Sequence, residues 1–370
     1  MTTRAPTPHA VSGPALEADV VVIGAGSAGL AAAAALAHPA RRLRLVVLEP
    51  RTITPNGRRW LIAAEPGHGL LDLADTRFDS ITLAGRRATL PRARIHHVRA
   101  AAFQQRALER LADSPLTRIE ERVRVGEITG TPGAVTLETG LGRLTARAVI
   151  DTRPGSSHGV AKDVWTQIAY SGRIDGVNAL PGVSLSRPFP DRGGVGLDQI
   201  VVLPSGEALI EAVRFAPPGQ KGTGVEARAA ALAEPLGADP NTLRLQRSVL
   251  PLTEPKAPAR TDPAIAAGAG VGGLRFSVGT AAMRLSRWAD GAAARFAETG
   301  RISAPPPPPA QARAANALAL SRLQQGPEPA AAWLATVMED APPEAALRFL
   351  AGTPGWRDGR LALLRARTSA

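Results

Sequence analysis

The chain has 370 residues, of which 44% are hydrophobic, and this length is enough for two domains or for one domain with a large insertion. It contains no cysteine, which excludes disulfides, thiolate zinc sites, iron–sulfur clusters and cysteine nucleophiles. The formal net charge of +12 favours contact with the phosphates of nucleic acids or of lipid headgroups. Aromatic residues make up only 4% of the chain, which argues against a nucleic-acid partner held by base stacking.

The sequence shows no recognisable targeting signal. No run of about 18 apolar residues and no leader with a cleavage site is recognisable, so we expect a cytoplasmic protein whose contact with the inner face of a membrane would be peripheral. Residues 1–17 are rich in Pro, Ser and Thr and predict a disordered lead-in. The sequence predicts no metal site and does not fix the oligomeric state.

The first ordered segment predicts a βαβ unit. Residues 19–23 are a short apolar strand, residues 24–29 have the sequence G-A-G-S-A-G, residues 30–37 favour a helix, and residues 44–48 form a second strand. The glycines fit the pattern G-x-G-x-x-G, and they follow a strand and open a helix. This context is the one that dinucleotide binding requires.

Each residue of the glycine loop has an expected task. Gly24 permits a tight turn, Gly26 lets the backbone approach a pyrophosphate, and Gly29 allows close packing of helix on strand. Ser27 stands at the helix N-terminus, where unpaired N–H groups face the anion. Glu49, at the end of the second strand, would accept hydrogen bonds from a ribose diol and repel a 2′-phosphate. FAD or NAD is therefore favoured over NADP.

FAD is preferred to NAD because the motif lies close to the N-terminus and a large β layer follows it. In such an architecture a late glycine segment returns to the flavin. Gly279, with Met283 in the helix after it, is the candidate for that return, and the strand-like residues 274–276 precede it. An ordinary strand-to-helix turn explains the same residues equally well.

The remaining elements follow in chain order. Residues 101–112 have helical spacing, and strands at 122–125 and 134–151 would extend the first sheet. From 165 to 215 the strands are interrupted by Pro and Gly, which predicts a separate and mainly antiparallel layer. The prolines at 305–309 end any helix, and the segments 311–324, 330–338 and 344–350 are helical.

These elements predict an α/β fold: a Rossmann-like FAD-binding domain with an inserted antiparallel β-sheet substrate domain and C-terminal helices. The expected boundaries are the lead-in at 1–17, the first part of the FAD-binding domain at 18–160, the substrate domain at 161–265, the return segment at 266–304 and the helical region at 305–370.

One strand of the expected substrate domain carries a candidate catalytic acid. Residues 208–215 are apolar except for Glu211 and Arg214, which the alternation of a strand places on opposite faces. Glu211 then shares its face with Leu209, Val213 and Phe215. Burial there would raise the pKa of the carboxyl group, which suits a proton donor or a partner for a developing cation. Pairing with an arginine in a structural network is the alternative.

The order of these motifs is similar to that of the flavin-dependent lycopene cyclase family of bacteria and plants. The resemblance rests on the glycine loop with Glu49, D-T-R-P-G at 151–155, W-T-Q at 165–167, L-P at 203–204 with A-L-I-E at 208–211, R-S-V-L-P-L at 247–252, and the helix at 343–350. Where that family usually has two adjacent acids, this chain has Glu211 followed by Ala212.

The resemblance implies a redox-neutral cyclisation of a linear carotenoid or related polyene terpenoid. A proton is delivered to a terminal double bond, and an internal alkene attacks the resulting cation. The resemblance further implies that reduced FAD stabilises the positive charge, that Glu211 acts as acid, base or cation partner, and that NAD(P)H is a candidate indirect electron source. The apolar substrate makes the membrane surface a candidate partner.

Two other functions remain open. A flavin-dependent hydroxylase or prenyl reductase of the same fold would consume NAD(P)H stoichiometrically. A non-catalytic relative would bind FAD or an apolar ligand without turnover, and the missing second acid at Ala212 is compatible with this reading.

Overall fold

A computed structural model describes residues 16–38, 42–55, 57, 59–64, 69–90, 94–153, 164–238, 243–252, 263–267, 279–306 and 309–350. The predicted strand at 274–276 and the end of the D-T-R-P-G motif lie outside the described residues. Within these ranges the strands form three sheets.

The strands, in chain order, are β1 (Leu16–Ile23), β2 (Leu45–Glu49), β3 (Arg59–Ala64), β4 (Ala74–Phe78), β5 (Ser80–Leu83), β6 (Arg86–Thr89), β7 (Arg94–Arg99), β8 (Thr117–Glu121), β9 (Val125–Thr131), β10 (Ala134–Thr139), β11 (Gly142–Asp151), β12 (Thr166–Ile174), β13 (Gly182–Leu185), β14 (Phe189–Asp191), β15 (Gly194–Val202), β16 (Ala208–Ala216), β17 (Gln246–Pro251) and β18 (Ile265–Ala266). The helices are α1 (Ser27–Leu36), α2 (Ala100–Ala112), α3 (Val225–Ala231), α4 (Gly279–Thr299), α5 (Ala310–Gln324), α6 (Pro327–Asp340) and α7 (Pro343–Leu350).

The first sheet contains the βαβ unit. Its parallel strands run in the order β8, β2, β1, β11 and β18, and the antiparallel strands β10 and β9 continue from β11. Val20 and Val22 of β1 pack under α1 and α4, while Val21 and Ile23 pack on the opposite face against β10. Apolar side chains on both faces are what a buried parallel sheet requires.

One predicted strand of this sheet is wrong. Residues 122–124 form the turn between β8 and β9 instead of a strand. Arg122 has a φ of 61°, so the backbone leaves the extended conformation there, and the amide of Val123 donates to the carbonyl of Glu49 over 3.0 Å. Apolar periodicity alone did not reveal this chain reversal.

The second sheet is the mainly antiparallel layer. Its strands run in the order β17, β12, β16, β15, β13, β5 and β6, with β14 paired to β15. The parallel pairing of β13 with β5 brings residues 80–89, which come early in the chain, into this layer. One face packs against α5, α6 and α7, and the other face is covered by α3.

The third sheet is small and consists of β3, β7 and β4. Its strand β3 lies between the two main cores. Trp60 and Ile62 pack with α1 and α4, whereas Leu61 packs in the core of the second sheet. Because successive side chains of β3 point to opposite sides, this one strand contributes to both cores and connects the two layers.

The C-terminal helices close the second core. Trp333 of α6 meets Phe349 of α7 in an edge-on contact with ring centroids 5.7 Å apart. None of the helices in the described part of the chain combines the length and the hydropathy that spanning a bilayer demands.

Candidate functional site

The glycine loop connects β1 to α1, and each of its three glycines is constrained differently. Gly24 has a φ of 98°, and a Cβ there would lie 2.6 Å from Oγ1 of Thr152. A Cβ on Gly29 would lie 1.8 Å from the carbonyl oxygen of Gly24, so the helix can approach the turn only with glycine. A Cβ on Gly26 would have no atom within 4 Å. Packing therefore accounts for Gly24 and Gly29, while Gly26 faces open space.

The N-terminus of α1 has features of an anion site. Gly26 is its N-cap, no side chain caps the helix, and no acidic residue stands in its first turn. Ser27 is the first helical residue. The first amides of a helix lack intrahelical partners and carry the positive end of the helix dipole. Together with the open space at Gly26, this arrangement fits a pyrophosphate.

Glu49 is placed beside this loop. It is 9% exposed, its Oε2 accepts the amide of Ala25 over 2.8 Å, and its Oε1 accepts the amide of Arg51 over 3.2 Å. Each carboxylate oxygen can accept a further hydrogen bond, which is what a ribose diol would supply. The structure thus brings Gly24, Gly26, Ser27, Gly29 and Glu49 together at one edge of the first sheet.

The end of β11 supports the loop from the neighbouring strand. The Oγ1 of Thr152 donates to the carbonyl of Ile23 over 2.7 Å. Asp151 is buried and forms a two-pronged ion pair with Arg153, with Oδ2 and Nη2 2.7 Å apart. Arg153 also donates to the carbonyl of Val125. Asp151 is therefore a structural acid of this turn.

Gly279 is the first residue of α4, the helix that packs on α1. The residues just before it, 268–278, lie outside the described residues, as do the side-chain surroundings of Met283. The predicted return to the flavin at Gly279 and Met283 stays a prediction.

Glu211 lies in β16 and is 8% exposed. It shares its face with Leu209, Val213 and Phe215, which belong to the core between the second sheet and the C-terminal helices. Its direct neighbours across the strands are Ser171 and Gln199. The register therefore places polar groups on both sides of the carboxyl group, which the sequence of β16 alone does not show.

A cleft of about 270 Å³ opens over Glu211, between the second and third sheets. Its apolar wall includes Leu61, Leu209 and Leu250. Polar side chains also line the cleft, and they are Glu211, Arg59, Arg173, Arg244, Arg247, Gln167, Gln199, Gln246, Ser171 and Ser248. The apolar neighbours expected for Glu211 are present on its own strand, and polar side chains from neighbouring strands join them toward the β17 edge.

The opposite face of β16 carries a closed ion network. Arg214 is 2% exposed and binds Asp191 through two hydrogen bonds of 2.7 and 2.9 Å. Arg228 of α3 also pairs with Asp191, and it reaches Asp198 over 2.9 Å. Burial raises the pKa of Asp198, against the opposing charge of Arg228. These groups satisfy one another, and the network fixes α3 on the sheet.

Several buried polar groups near the cleft have no role predicted from the sequence. The side chain of His97 is fully buried, with Nδ1 2.5 Å from Oδ1 of Asp75, and burial lowers its pKa more than Asp75 raises it. Among the described residues, Nε2 of His97, Nε of Arg59 and Oε1 of Gln167 are buried without a hydrogen-bond partner. No local motif marks them, because their positions depend on pairing between distant strands.

Comparison with protein families gives one match. Residues 19–179 match the model of the family described as "Lycopene cyclase protein". The resemblance to this family is thereby confirmed for the part of the chain that holds the glycine loop, Glu49 and the end of β11. A search of curated proteins gives no match.

Solved structures share the fold at low sequence identity. The p-nitrophenol 4-monooxygenase PnpA from Pseudomonas putida DLL-E4 is 17% identical, with a TM-score of 0.57 over 96% of this chain and 98% of that chain. PqsL from Pseudomonas aeruginosa, a probable FAD-dependent monooxygenase, is 14% identical, with a TM-score of 0.55 over 90% and 98%. A geranylgeranyl bacteriochlorophyll reductase-like protein from Thermoplasma acidophilum is 12% identical, with a TM-score of 0.58 over 94% and 96%. The chain thus has the α/β fold of FAD-dependent monooxygenases and reductases, with C-terminal helices.

Proposed function

We propose that this protein is an FAD-dependent enzyme that cyclises the end group of a linear polyene isoprenoid without net oxidation or reduction. The observation that carries the proposal is the position of Glu211, a carboxyl group that is 8% exposed and faces a cleft between two layers. The family match over residues 19–179 and the fold of the solved relatives support it.

The glycine loop and Glu49 would hold the FAD. The pyrophosphate would meet the first amides of α1 beside Gly26, and Glu49 would accept hydrogen bonds from the ribose. When bound in its reduced form, the cofactor would supply negative charge that stabilises a cationic substrate. NAD(P)H belongs to this proposal as an indirect source of electrons.

Glu211 is the residue that would act as the general acid. Its protonated carboxyl group would give a proton to the terminal carbon–carbon double bond, which leaves a tertiary cation on the substrate. An internal double bond of the substrate then forms the new ring bond, and the loss of one proton from the ring restores an alkene. The proton gained and the proton lost balance, so the product has the mass of the substrate.

On the side of the core, the surroundings of Glu211 are suited to keep water from the cation. The same face of β16 continues through Val213 and Phe215 into the core under α5, α6 and α7. Leu61 of β3 lines the cleft from the opposite side. A substrate of this class resides in membranes, and contact with the membrane surface is part of the proposal.

The test is the mass of the product. Protein reconstituted with FAD and reduced by dithionite is incubated without oxygen with lycopene in detergent micelles, and the pigment is analysed by chromatography and mass spectrometry. We expect a cyclised isomer of unchanged mass, formed at least about 10²-fold more slowly by the Glu211→Gln variant.

A second candidate, a flavin-dependent hydroxylase or prenyl reductase, is favoured by the polar wall of the cleft and by the solved relatives. It predicts a product of altered mass and one NAD(P)H consumed for each product. Such a result would overturn the cyclase proposal, and so would tight binding of substrate with no product over many hours.

A further inference from the structure

The floor of the cleft is a row of polar side chains that crosses four strands. Gln246 of β17, Ser171 of β12, Glu211 of β16 and Gln199 of β15 are successive partners in the register. Cross-strand partners point to the same side of a sheet. A ligand that lies along this row meets hydrogen-bonding groups over its whole length, which a pure hydrocarbon does not need.

Two buried atoms of the cleft wall lack protein partners among the described residues. Oε1 of Gln167, on a side chain that is 3% exposed, has no donor, and Nε of Arg59 has no acceptor. A buried polar atom left without a partner costs roughly 1–3 kcal/mol. A ligand that brings an oxygen to Arg59 would remove one such cost.

The edge of the cleft at β17 is strongly cationic. Arg173 pairs with Asp175 and Glu207, and Glu207 also lies 3.9 Å from Arg59. Within the described part of the chain, no carboxylate pairs with Arg244 or Arg247, which also line the cleft. Four guanidinium groups therefore surround one opening, and their charge is only partly offset by nearby carboxylates.

The pKa of Arg59 is lowered, and burial is the largest cause. Glu207 counteracts that, and the charges of Arg173 and Arg99 lower the pKa further. A second anion near Arg59 would relieve this repulsion.

We infer that the preferred substrate of this cleft carries an oxyanion, a carboxylate or a phosphate, which the arginines at the β17 edge bind while the reacting double bond lies at Glu211. A hydrocarbon such as lycopene would meet only the apolar part of the cleft and would bind more weakly. Gln246 and Glu211 stand two strands apart, which sets the anion roughly 10 Å from the reacting carbon. That the substrate has an isoprenoid hydrocarbon chain rests on the proposed function, whereas the anion site is inferred from the arginines alone.

The experiment compares three probes that have the same farnesyl-type hydrocarbon skeleton and differ in the polar end group: farnesoic acid, farnesyl phosphate and farnesol. Their binding to the FAD-loaded protein is measured by isothermal titration calorimetry below the concentrations at which they form micelles. We expect both anions to bind at least about tenfold more tightly than the alcohol, because a charge-assisted hydrogen bond contributes more than a neutral one. The tighter anion identifies the group as carboxylate or phosphate.

Variants at the cleft edge sharpen the result. Arg244→Gln and Arg247→Gln replace exposed side chains, so the fold should persist, and together they should reduce the preference for anions to about twofold. Arg247→Lys should keep most of it. Arg143→Gln is the matched control, since Arg143 is an exposed arginine of β11 that pairs with Glu138 in the first sheet.

Equal binding of acid and alcohol, or an anion preference that survives in the double variant, would overturn the inference. The measurement requires no turnover. Tight anion binding without cyclisation would therefore contradict only the proposed function, and cyclisation of a hydrocarbon without anion preference would contradict only the inferred anion site.

Discussion

Two ionisable side chains of β16, Glu211 and Arg214, are both buried, but their surroundings differ. Arg214 lies in a closed network, where Asp191 and the backbone carbonyl of Thr223 accept its hydrogen bonds and Arg228 donates to the same Asp191. Glu211 faces a cleft between two layers. Burial of a charge by itself therefore does not separate a structural group from a functional one, whereas the presence of space for a ligand does.

The largest effect is expected from Glu211→Gln. The amide has the size of the carboxyl group and lies between Ser171 and Gln199, so the variant should fold. Loss of a general acid should lower the rate of cyclisation by about 10²- to 10⁴-fold. Product formation and the melting temperature are measured together. If the variant is active, or is inactive only because it unfolds, then Glu211 is not shown to be a general acid, and its face of β16 does not differ in function from the face that carries Arg214.

The second effect is on stability. Arg214→Leu breaks a buried ion pair and should lower the free energy of unfolding by about 3 kcal/mol, since Asp191 keeps Arg228 as a partner. Chemical denaturation measures the change. The control Arg143→Leu breaks an exposed pair with Glu138 and should cost at most about 1 kcal/mol. A variant as stable as the wild type would show that the network contributes little.

In the glycine loop, two substitutions likewise distinguish a residue needed for packing from a residue needed for binding. Gly29→Ala would push a Cβ against the carbonyl oxygen of Gly24 and should cost about 1–3 kcal/mol of stability. Gly26→Ala places its methyl group in open space and should leave stability unchanged, but it should weaken FAD binding about tenfold. Flavin fluorescence titration and thermal melting separate the two effects. Equal FAD affinity of wild type and Gly26→Ala would contradict the proposed cofactor position.

The smallest effect concerns acid stability. Burial alone would raise the pKa of Asp191, but hydrogen bonds and charges from Arg214 and Arg228 outweigh it and hold the pKa below 3.8. The unfolded chain then binds more protons than the folded one, so this stabilisation is present above pH 3.8 and is lost as the pH falls through the folded pKa. Unfolding of Asp191→Asn across this range should show a flatter pH dependence. Identical slopes would contradict the assigned pairing.

The glycine loop was predictable because its information is local. A strand, three spaced glycines, a helix and the acid at Glu49 lie within one βαβ unit, and the structure assembles them as the spacing indicates. The alternation of β16 likewise predicted that Glu211 and Arg214 lie on opposite faces. Both results depend only on the geometry of single elements and of one short connection.

The cleft was not predictable in the same way. Arg59 comes from β3, Gln167 from β12 and Gln246 from β17, and only long-range strand pairing brings them to Glu211. The parallel pairing of β13 with β5 is similarly invisible to a pattern with a period of two. For this reason the sequence predicted apolar neighbours from β16 alone and missed the polar neighbours on adjoining strands.

The position of β3 between the two cores has a thermodynamic consequence. One side of this strand packs under α1 and α4 through Trp60, and the other side lines the cleft through Arg59 and Leu61. A ligand bound to either layer therefore also restrains β3. Occupancy of one site should then change affinity at the other by an equal factor in both directions, and titrating the cleft with and without the dinucleotide measures that linkage.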